Sequence, residues 1–587
     1  MKRRQKSQVL VSVLILMTIV LVLSTALLFH SRSVRQISLL QSDADRAYSL
    51  AKTGIGIARY LNAGASGGGS CGGGGGIQRD ETYILSPEEQ ITINMIPTLI
   101  TSTGKVMSGT AVKNARVLTE AVAGGGGGGT WAKVYTLSAE EYLTSIRKTQ
   151  DGGYLLEGQT GINGANAEDL LLVKINACGV IQWAKTYGGN NREVCNDEPT
   201  LNTPGSNTIL EVSGKGPYDG YYMAKSTNSF GSGQYDFILF KINKNDGNII
   251  WVKTYGGAST SEYLHDIQDD GTGFVLAGRT TMSSEGAIIV VKTDYDGTMG
   301  TKYYMYNTAK DESVESILPY VESSTSYWLL GGWIKTTVSG KTFPDFALVK
   351  INASTGAISA QKRYSCGTGQ RDERIFAVKR SIDPATSNPD GFVVAGEVYA
   401  YSNYKFRGFI AQMSTDLAAI NWYNYHEGAG GKNHMYRDLY QDGSGNNYVV
   451  GQRDGEGLWL KTNHQGAFQL MKQYGDKSAS TIDLFYALEK TDSGFIMGGY
   501  AGTGSLGGTS SADYFVVSTD TSGDISGCTS IIGNDQSLSS ETCATAPVDA
   551  GLTSLSGTIL EKPIDKATVT VKTHPTDFTL GTKDPCS

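Results

Sequence analysis

The chain has 587 residues, a net charge of −7 and a pI near 5.6. This length allows several domains with at least one large core, and the acidic balance excludes the basic footprint of a nucleic-acid-binding protein. The 74 glycines and 32 tyrosines stand out. Much of the glycine lies in two tracts and in repeated turns, which indicates many short strands.

A short basic leader opens the chain and an apolar segment follows it. Four basic residues stand within positions 2–6, and the run from Val9 to Phe29 carries no charge over 21 residues. A helix of that length covers about 31 Å, enough for a bilayer core of roughly 30 Å. Because basic residues stay in the cytoplasm, we expect a single-pass inner or cytoplasmic membrane protein with an extracytoplasmic C-terminus.

The helical pattern continues past the membrane, with apolar residues three or four apart as far as Leu61. This pattern predicts a leader over 1–7 and a transmembrane, pilin-like helix over 8–62. The stretch from Arg46 to Ile55 (RAYSLAKTGI) resembles the R-A-x-x-A-A-E-A-G-I segment of PilX-type minor pilins.

The resemblance implies that a prepilin peptidase cuts between Ser7 and Gln8, which makes Gln8 the mature N-terminus. It implies that other pilins are partners through the N-terminal helix, with the protein at the cell surface or in a pilus after assembly. Most pilins carry glutamate at the fifth mature position, where Ser12 stands here. The same absence is typical of the tip pseudopilin of type II secretion systems. A signal anchor that never enters a filament is the alternative.

Two glycine-rich segments, 63–76 and 124–130, are predicted linkers because such tracts are flexible. They bracket residues 77–123, where apolar alternation around 91–100 precedes a predicted turn at Thr103-Gly104. We expect a small α+β pilin-like body here, with a sheet packed on the helix. A short independent β module is the alternative.

From residue 131 onward the chain repeats itself, and the repeats predict a seven-bladed β-propeller over 131–528. The motif Trp-x-Lys-Thr-Tyr-Gly-Gly occurs at 183–189 and 251–257, and five weaker copies start at 131, 302, 361, 422 and 471. Each unit holds four predicted strands. The strand Trp131–Tyr135 has no preceding unit, so we expect it to complete the last blade. A solenoid of stacked hairpins is the alternative.

This region resembles the bacterial secreted propellers built from W-x-K-T-Y-G-G and D-G-G-Y repeats. The predicted fold class is therefore mainly β, with a seven-bladed propeller after a long N-terminal transmembrane or pilin-like α-helix and a small α+β body. Residues 529–587 form a C-terminal tail to which the sequence assigns no function. The recurring Trp and Tyr residues are interpreted as packing residues between blades.

Seven cysteines are scattered along the chain, and no two of them have the spacing of a zinc knuckle or redox dithiol. An exported location permits disulfides. The pair predicted first is Cys528 with Cys543, and the second is Cys178 with Cys195.

Loops of variable length lie between the second and third strands and at the crossings between blades, all on one face of the predicted disc. Variable loops on a rigid scaffold are a common place for recognition, although they are equally typical of tolerated insertions. The candidate ligand-face residues are Tyr235, Tyr399, Tyr401, Tyr404, His426 and His434.

No catalytic signature is present. The six histidines form no HExxH motif, no Gly-x-Ser-x-Gly elbow occurs, and Asp294–Gly297 is interpreted as a hairpin turn rather than a calcium loop. We therefore expect no enzyme activity, cofactor, metal or nucleic acid.

The hypothesis is a minor pilin-like or pseudopilin-like surface protein that displays its propeller at a type IV filament for adhesion to, or recognition of, an extracellular protein or glycan. The alternatives are a signal-anchored receptor that does not polymerise and, less favoured, a polysaccharide-acting hydrolase.

Overall fold

The computed structural model divides the chain into two compact units, residues 1–125 and 126–587. In the first unit it describes strand backbones only, and in the second it describes side chains as well. The described residues are 79–86, 89–96, 99–108, 111–121, and 129–586 without 138, 162–168, 195–206, 309, 339, 366–370, 402–404, 429–432, 477–481, 503–505, 507–511, 529–531, 535–537, 540–552, 555–559 and 574–580.

The first unit contains a four-stranded antiparallel meander in which each strand pairs with the next along the chain. Its strands are β1 (Arg79–Ser86), β2 (Glu89–Ile96), β3 (Leu99–Ser108) and β4 (Ala111–Ala121). Thr103 and Gly104 lie inside β3, where they pair with both neighbouring strands. The predicted turn at these two residues is therefore wrong.

The predicted fold class needs correction in its helical part. Within the described residues the helical segments are single 3₁₀ turns, such as Gly216–Tyr218 and Lys566–Thr568, and no α-helix occurs there. The predicted α+β body is wrong, because the described part of 77–123 consists of strands only. The predicted helix over 8–62 lies outside the described residues.

The second unit is a seven-bladed β-propeller, as the repeats predicted. Each blade is an antiparallel meander whose first strand is innermost. The blade strands are as follows: blade 1, β6 (Glu141–Lys148), β7 (Tyr154–Thr160), β8 (Asp169–Ile175) and β9 (Ile181–Gly188); blade 2, β10 (Glu193–Val194), β11 (Ile209–Val212), β12 (Gly220–Thr227), β13 (Asp236–Ile242) and β14 (Ile249–Gly256); blade 3, β15 (Glu262–Asp269), β16 (Phe274–Thr280), β17 (Ala287–Thr293) and β18 (Tyr303–Asn307); blade 4, β19 (Glu312–Glu322), β20 (Thr325–Val338), β21 (Lys341–Asn352) and β22 (Ile358–Tyr364); blade 5, β23 (Arg371–Ile382), β24 (Pro389–Ala400), β25 (Lys405–Met413) and β26 (Ile420–Gly428); blade 6, β27 (His434–Gln441), β28 (Asn447–Arg453), β29 (Glu456–Thr462) and β30 (Phe468–Tyr474); blade 7, β31 (Leu484–Lys490), β32 (Gly494–Gly502), β33 (Ala512–Asp520) and β5 (Trp131–Thr136).

The ring closes through blade 7, because β5 pairs with β33 and supplies the outer strand that the last repeat lacks. The sequence predicted this closure. The innermost strands of consecutive blades contact each other around the whole ring, and β31 of blade 7 contacts β6 of blade 1. Apolar clusters between the blades bury the faces that a single blade would expose.

The Trp and Tyr residues of the repeat join neighbouring blades. Tyr187 in blade 1 donates its hydroxyl to the carbonyl of Gly247 in blade 2, at 2.6 Å. Gly247 has a φ of 69°, and a Cβ there would lie 2.9 Å from the Trp183 ring, so glycine is required. The same tyrosine bond recurs at Tyr135–Gly179, Tyr255–Gly297, Tyr306–Gly356, Tyr364–Leu417 and Tyr474–Gly523.

Glutamates at the start of the inner strands hold the crossings between blades. Each accepts a backbone N–H from a crossing residue four or five positions earlier, and each side chain is fully buried. The bonds are Leu137 to Glu141, Gly189 to Glu193, Gly257 to Glu262 and Thr308 to Glu312.

An aspartate of the preceding blade lies beside three of these glutamates, so two carboxyl groups share a buried junction. Asp236 and Glu262 converge on Gly256, where a Cβ would collide with both. Asp169 with Glu193 and Asp513 with Glu141 repeat the arrangement. Such paired burial makes ionisation of both carboxyl groups costly.

The described strands near the C-terminus pair with the outer strands of the propeller. Short antiparallel strands add one outer strand to six blades, in the order 6, 5, 3, 2, 1 and 7. The pairs are β34 (Ile532–Asn534) on β30, β35 (Leu538–Ser539) on β26, β36 (Thr553–Ser554) on β18, β37 (Leu560–Ile564) on β14, β38 (Thr570–Thr573) on β9, and β39 (Gly581–Lys583) on β5.

A disulfide joins Cys528 to Cys586. The predicted pairing of Cys528 with Cys543 is therefore wrong, since β39 pairs with β5 of blade 7 and brings Cys586 close to Cys528. Cys178 is also disulfide-bonded. Cys195 lies outside the described residues, so its pairing with Cys178 stays a prediction.

No helix in the described part of the chain is long and apolar enough to span a bilayer. The apolar run over 9–29, for which the sequence predicts a membrane span, lies outside that part.

Candidate functional site

Six of the seven inner strands carry a β-bulge at the same position, and the bulged residues differ in chemistry. They are Thr144, His265, Glu315, Phe376, Arg437 and Tyr486, which we call the bulge ring. All six side chains are at most 5% exposed. In blade 2, Asn207 and Thr208 occupy the corresponding place just before β11.

The local sequence explains why each bulge forms. Leu143 and Ile146 are three residues apart, so a regular strand would place them on opposite faces. Both side chains pack against Gly498 of blade 7. The extra residue Thr144 forms a bulge that places the two side chains on the same face of the strand. The flanking apolar positions are kept in each repeat, whereas the bulged position is free of that packing constraint.

The blade 3 and blade 4 members of the bulge ring form an imidazole–carboxylate pair. His265 Nδ1 lies 2.9 Å from Glu315 Oε2, and Trp333 Nε1 donates to Glu315 Oε1 at 3.0 Å. Burial opposes ionisation of Glu315, but the neighbouring His265 and Arg374, with hydrogen bonds from His265 and Ser313, hold its pKa below the ordinary value. Glu315 therefore remains a carboxylate at neutral pH.

Arg437 of blade 6 contacts the bulge ring member of blade 5. Its Nη1 donates to Glu397 Oε2 at 2.8 Å, and its guanidinium lies 4.3 Å from the centre of the Phe376 ring. Tyr486 packs against Tyr500, with 6.1 Å between ring centres. Burial raises the pKa of Tyr486 well above its ordinary value, so this hydroxyl stays protonated.

A fully buried ion pair joins blades 1 and 2 beneath Thr144. Lys225 Nζ lies 3.1 Å from Glu157 Oε2, and both side chains are 0% exposed. Lys225 also donates to Thr144 Oγ1 at 3.0 Å, and the Thr208 hydroxyl donates to Glu157 at 2.5 Å. These contacts fix the bulge of blade 1 rigidly.

A second set of equivalent side chains stands two residues before each bulge, on the face that carries the variable loops. We call Tyr142, Tyr263, Arg374 and Met435 the rim, because they are half-buried at this end of the inner strands. Tyr142 packs on Tyr500, with ring centres 5.1 Å apart.

Arg374 is the cation of the rim. Its guanidinium lies 5.3 Å from the centre of the Trp333 ring, and no carboxylate of the described chain lies within 4.0 Å of it. Two residues away, Asp372 accepts a hydrogen bond from the Tyr401 hydroxyl at 3.2 Å. Burial raises the pKa of Asp372, an effect that Arg374 partly offsets. The arrangement presents a guanidinium fork beside an exposed tyrosine.

The structure brings some of the predicted ligand-face residues to this rim. The Tyr235 ring lies 5.1 Å from that of Tyr263. Tyr401 is 36% exposed and packs on Tyr399 and Phe343, at 5.0 and 5.3 Å between ring centres. Tyr404 lies outside the described residues.

The two predicted histidines lie in strands and are buried. His426 is in β26 and 2% exposed, with its Nδ1 2.8 Å from the Tyr436 hydroxyl. Burial lowers the pKa of His426 to about 4, so it is neutral. His434 in β27 is fully buried and accepts a hydrogen bond from Arg453 Nε at 3.1 Å. His426 therefore joins blades 5 and 6, whereas His434 pairs within blade 6.

Sequence reasoning missed the bulge ring and Arg374. The available signal was the spacing of apolar residues in the first strand of each repeat, as in Leu143 and Ile146 or Leu264 and Ile267. A three-residue spacing inside a strand breaks the period of two and indicates a bulge. Aligning the repeats on that spacing singles out the bulged position as the one that varies.

The chain matches no protein-family model, and no curated protein is similar to it at a significant level. Within the described residues, no group of three or more histidine, cysteine or acidic side chains is arranged to hold a metal ion. The rim and the residues beside it present polar and aromatic groups at one end of the propeller.

Proposed function

We propose that the chain is an exported recognition protein whose propeller binds an acidic glycan at the rim. The observation that carries the proposal is the Arg374 guanidinium, which is stacked on Trp333 and without an ion pair in the described chain. A planar guanidinium that is already oriented by stacking suits bidentate binding of a carboxylate.

The aromatic groups beside Arg374 support a saccharide as the ligand. Tyr401, Tyr399 and Phe343 lie at the ends of the long hairpins of blades 4 and 5, and Tyr401 is exposed. Exposed rings with nearby polar groups provide a flat apolar surface and hydrogen bonds together. A sugar that carries a carboxylate would contact both the ring of Tyr401 and the fork of Arg374.

Arg374→Ala is expected to weaken binding of a uronic-acid oligosaccharide at least tenfold, because charged hydrogen bonds contribute about 1.5–3 kcal/mol. Isothermal titration calorimetry with this oligosaccharide, and with a neutral one of the same length, would measure the effect. Arg374→Lys should restore only part of the affinity, since lysine keeps the charge but not the fork.

Arg380→Ala is the matched control. Arg380 lies in the same strand, and its guanidinium stacks on Phe392 at 4.6 Å, but it lies toward the opposite end of the strand. This variant should bind as the wild type does. Equal loss in both variants, or equal binding of the neutral oligosaccharide, would contradict the proposal.

We also propose, from the resemblance of residues 46–55 to minor pilins, that the head is carried to the cell surface by a processed N-terminal segment. The mature chain is then expected to begin at Gln8, after cleavage by a prepilin peptidase at Ser7. Mass spectrometry of the N-terminus from native cells tests this expectation. A chain that begins at Met1 or Lys2, in cells with an active peptidase, would contradict this expectation. It would favour a signal-anchored receptor that does not polymerise.

A further inference from the structure

We propose that the strands β34 to β39 form a removable belt, and that the Cys528–Cys586 disulfide is the latch that holds it on the propeller. Opening the latch would release the belt from its C-terminal end, first from blade 7, then from blade 1 and then from blade 2. The proposal concerns the outer edge of the ring and does not depend on what the rim binds.

The path of the chain makes the belt a closed loop. Cys528 follows the last hairpin of blade 7, and the belt then reaches blade 6 first and blade 7 last. The disulfide joins two residues 58 positions apart, and both pack against the apolar cluster of blades 6 and 7. The covalent loop therefore includes strands on six of the seven blades.

The belt strands are individually weak. They contain between two and five residues each, and the described side chains of β39 are exposed. Apolar anchoring occurs near blades 1 and 2, where Val569 is buried and Ile564 and Val571 are half-buried. Strands this short hold their position only if their ends are fixed, because closing the connecting loops costs entropy.

The disulfide supplies that fixed end at blade 7, next to β39. Without it, β39 would keep three pairs to β5 and no apolar anchor of its own within the described chain. The belt also covers the outer strands of six blades, whose edges would otherwise offer unpaired N–H and carbonyl groups to other chains. An oxidising exterior keeps the latch closed.

Hydrogen exchange on the double variant Cys528→Ser/Cys586→Ser tests the latch. Amides of β39 and β38 should exchange at least tenfold faster than in the wild type, those of β37 should change less, and those of the inner strands β15 and β19 should not change. Val571→Ala, which keeps the disulfide, is the matched control and should loosen β38 alone.

A second measurement avoids the risk that the variant fails to fold. The folded wild-type protein is treated with a mild reductant and alkylated, mass spectrometry confirms which cysteines are modified, and exchange is measured on the modified protein. Unchanged exchange in β38 and β39 after Cys528 and Cys586 are alkylated would overturn the proposal. Equal loss of protection in belt and inner strands would also overturn it, because the disulfide would then be a general stabiliser.

Discussion

Replacing Lys225 by Met is expected to lower the free energy of unfolding by about 3–5 kcal/mol, because it leaves the buried Glu157 carboxylate without its cation. Lys225 and Glu157 are both fully buried, 3.1 Å apart, and they join the second strands of blades 1 and 2. Hydrogen bonds from Thr144 and Thr208 would remain, but two hydroxyls do not replace a full charge. Denaturant unfolding followed by circular dichroism measures the loss.

The double variant Glu157→Leu/Lys225→Met separates the cost of an unpaired charge from the worth of the pair. It should recover much of the stability that the single variant loses, since apolar residues of similar volume often replace a buried ion pair without penalty. Lys148→Met is the control, because Lys148 pairs with Asp492 at 2.6 Å across an exposed junction. It should cost less than about 1 kcal/mol. A similarly small loss in Lys225→Met would contradict the prediction.

The propeller is expected to be less stable at pH 9 than at pH 5, by several kcal/mol. Burial raises the pKa of Asp169 and Asp236 to about 6, of Glu193 and Glu312 to about 7, and of Glu141 to about 9. In the unfolded chain these groups ionise near pH 4.

The direction follows from the order of ionisation. Below about pH 4 these carboxyl groups are protonated in both the folded and the unfolded protein, and their contribution to the free energy of unfolding is fully present. As the pH rises toward 6 to 9 the unfolded chain ionises first, so the stability is lost progressively up to the folded pKa. His426 acts in the opposite direction, because its pKa of about 4 makes stability fall as the pH drops below about 6.5. One histidine does not outweigh the acidic groups above pH 6.

Unfolding by urea at pH 5, 7 and 9, in the presence of a chelator, measures this dependence. Asp236→Asn should remove about 1.4 kcal/mol of the difference, because it removes one carboxyl group whose pKa of about 6 lies roughly one unit above pH 5. Asp246→Asn, at an exposed turn, is the control and should leave the pH dependence unchanged. Stability that rises between pH 5 and pH 9 would contradict the prediction.

The candidate site could be predicted from the sequence only in part. Tyr235 and Tyr401 were expected on the loop face, and they lie beside Tyr263 and Asp372 there. His426 and His434 were expected in the same loops because they flank a glycine-rich segment, yet each lies within a strand. Strand ends cannot be located from composition alone, since the pairing partner decides where a strand stops.

The sequence by itself determined the number of blades, the order of strands within each repeat and the closure of the ring by Trp131–Thr136. These features are local and repeated sevenfold, so the same apolar pattern and turn residues specify them many times over. The packing role of the Trp and Tyr residues follows from the same repetition.

Only the tertiary structure decided the bulge ring, the carboxyl pairs between blades and the belt that ends at Cys586. The bulged residues become a set only when seven strands meet around one axis, and Asp236 meets Glu262 only because adjacent blades pack together. The belt pairs residues as far apart as Val134 and Lys583 through strands of two to five residues. Strands that short leave no periodic pattern in the sequence, and long-range pairing alone fixes them.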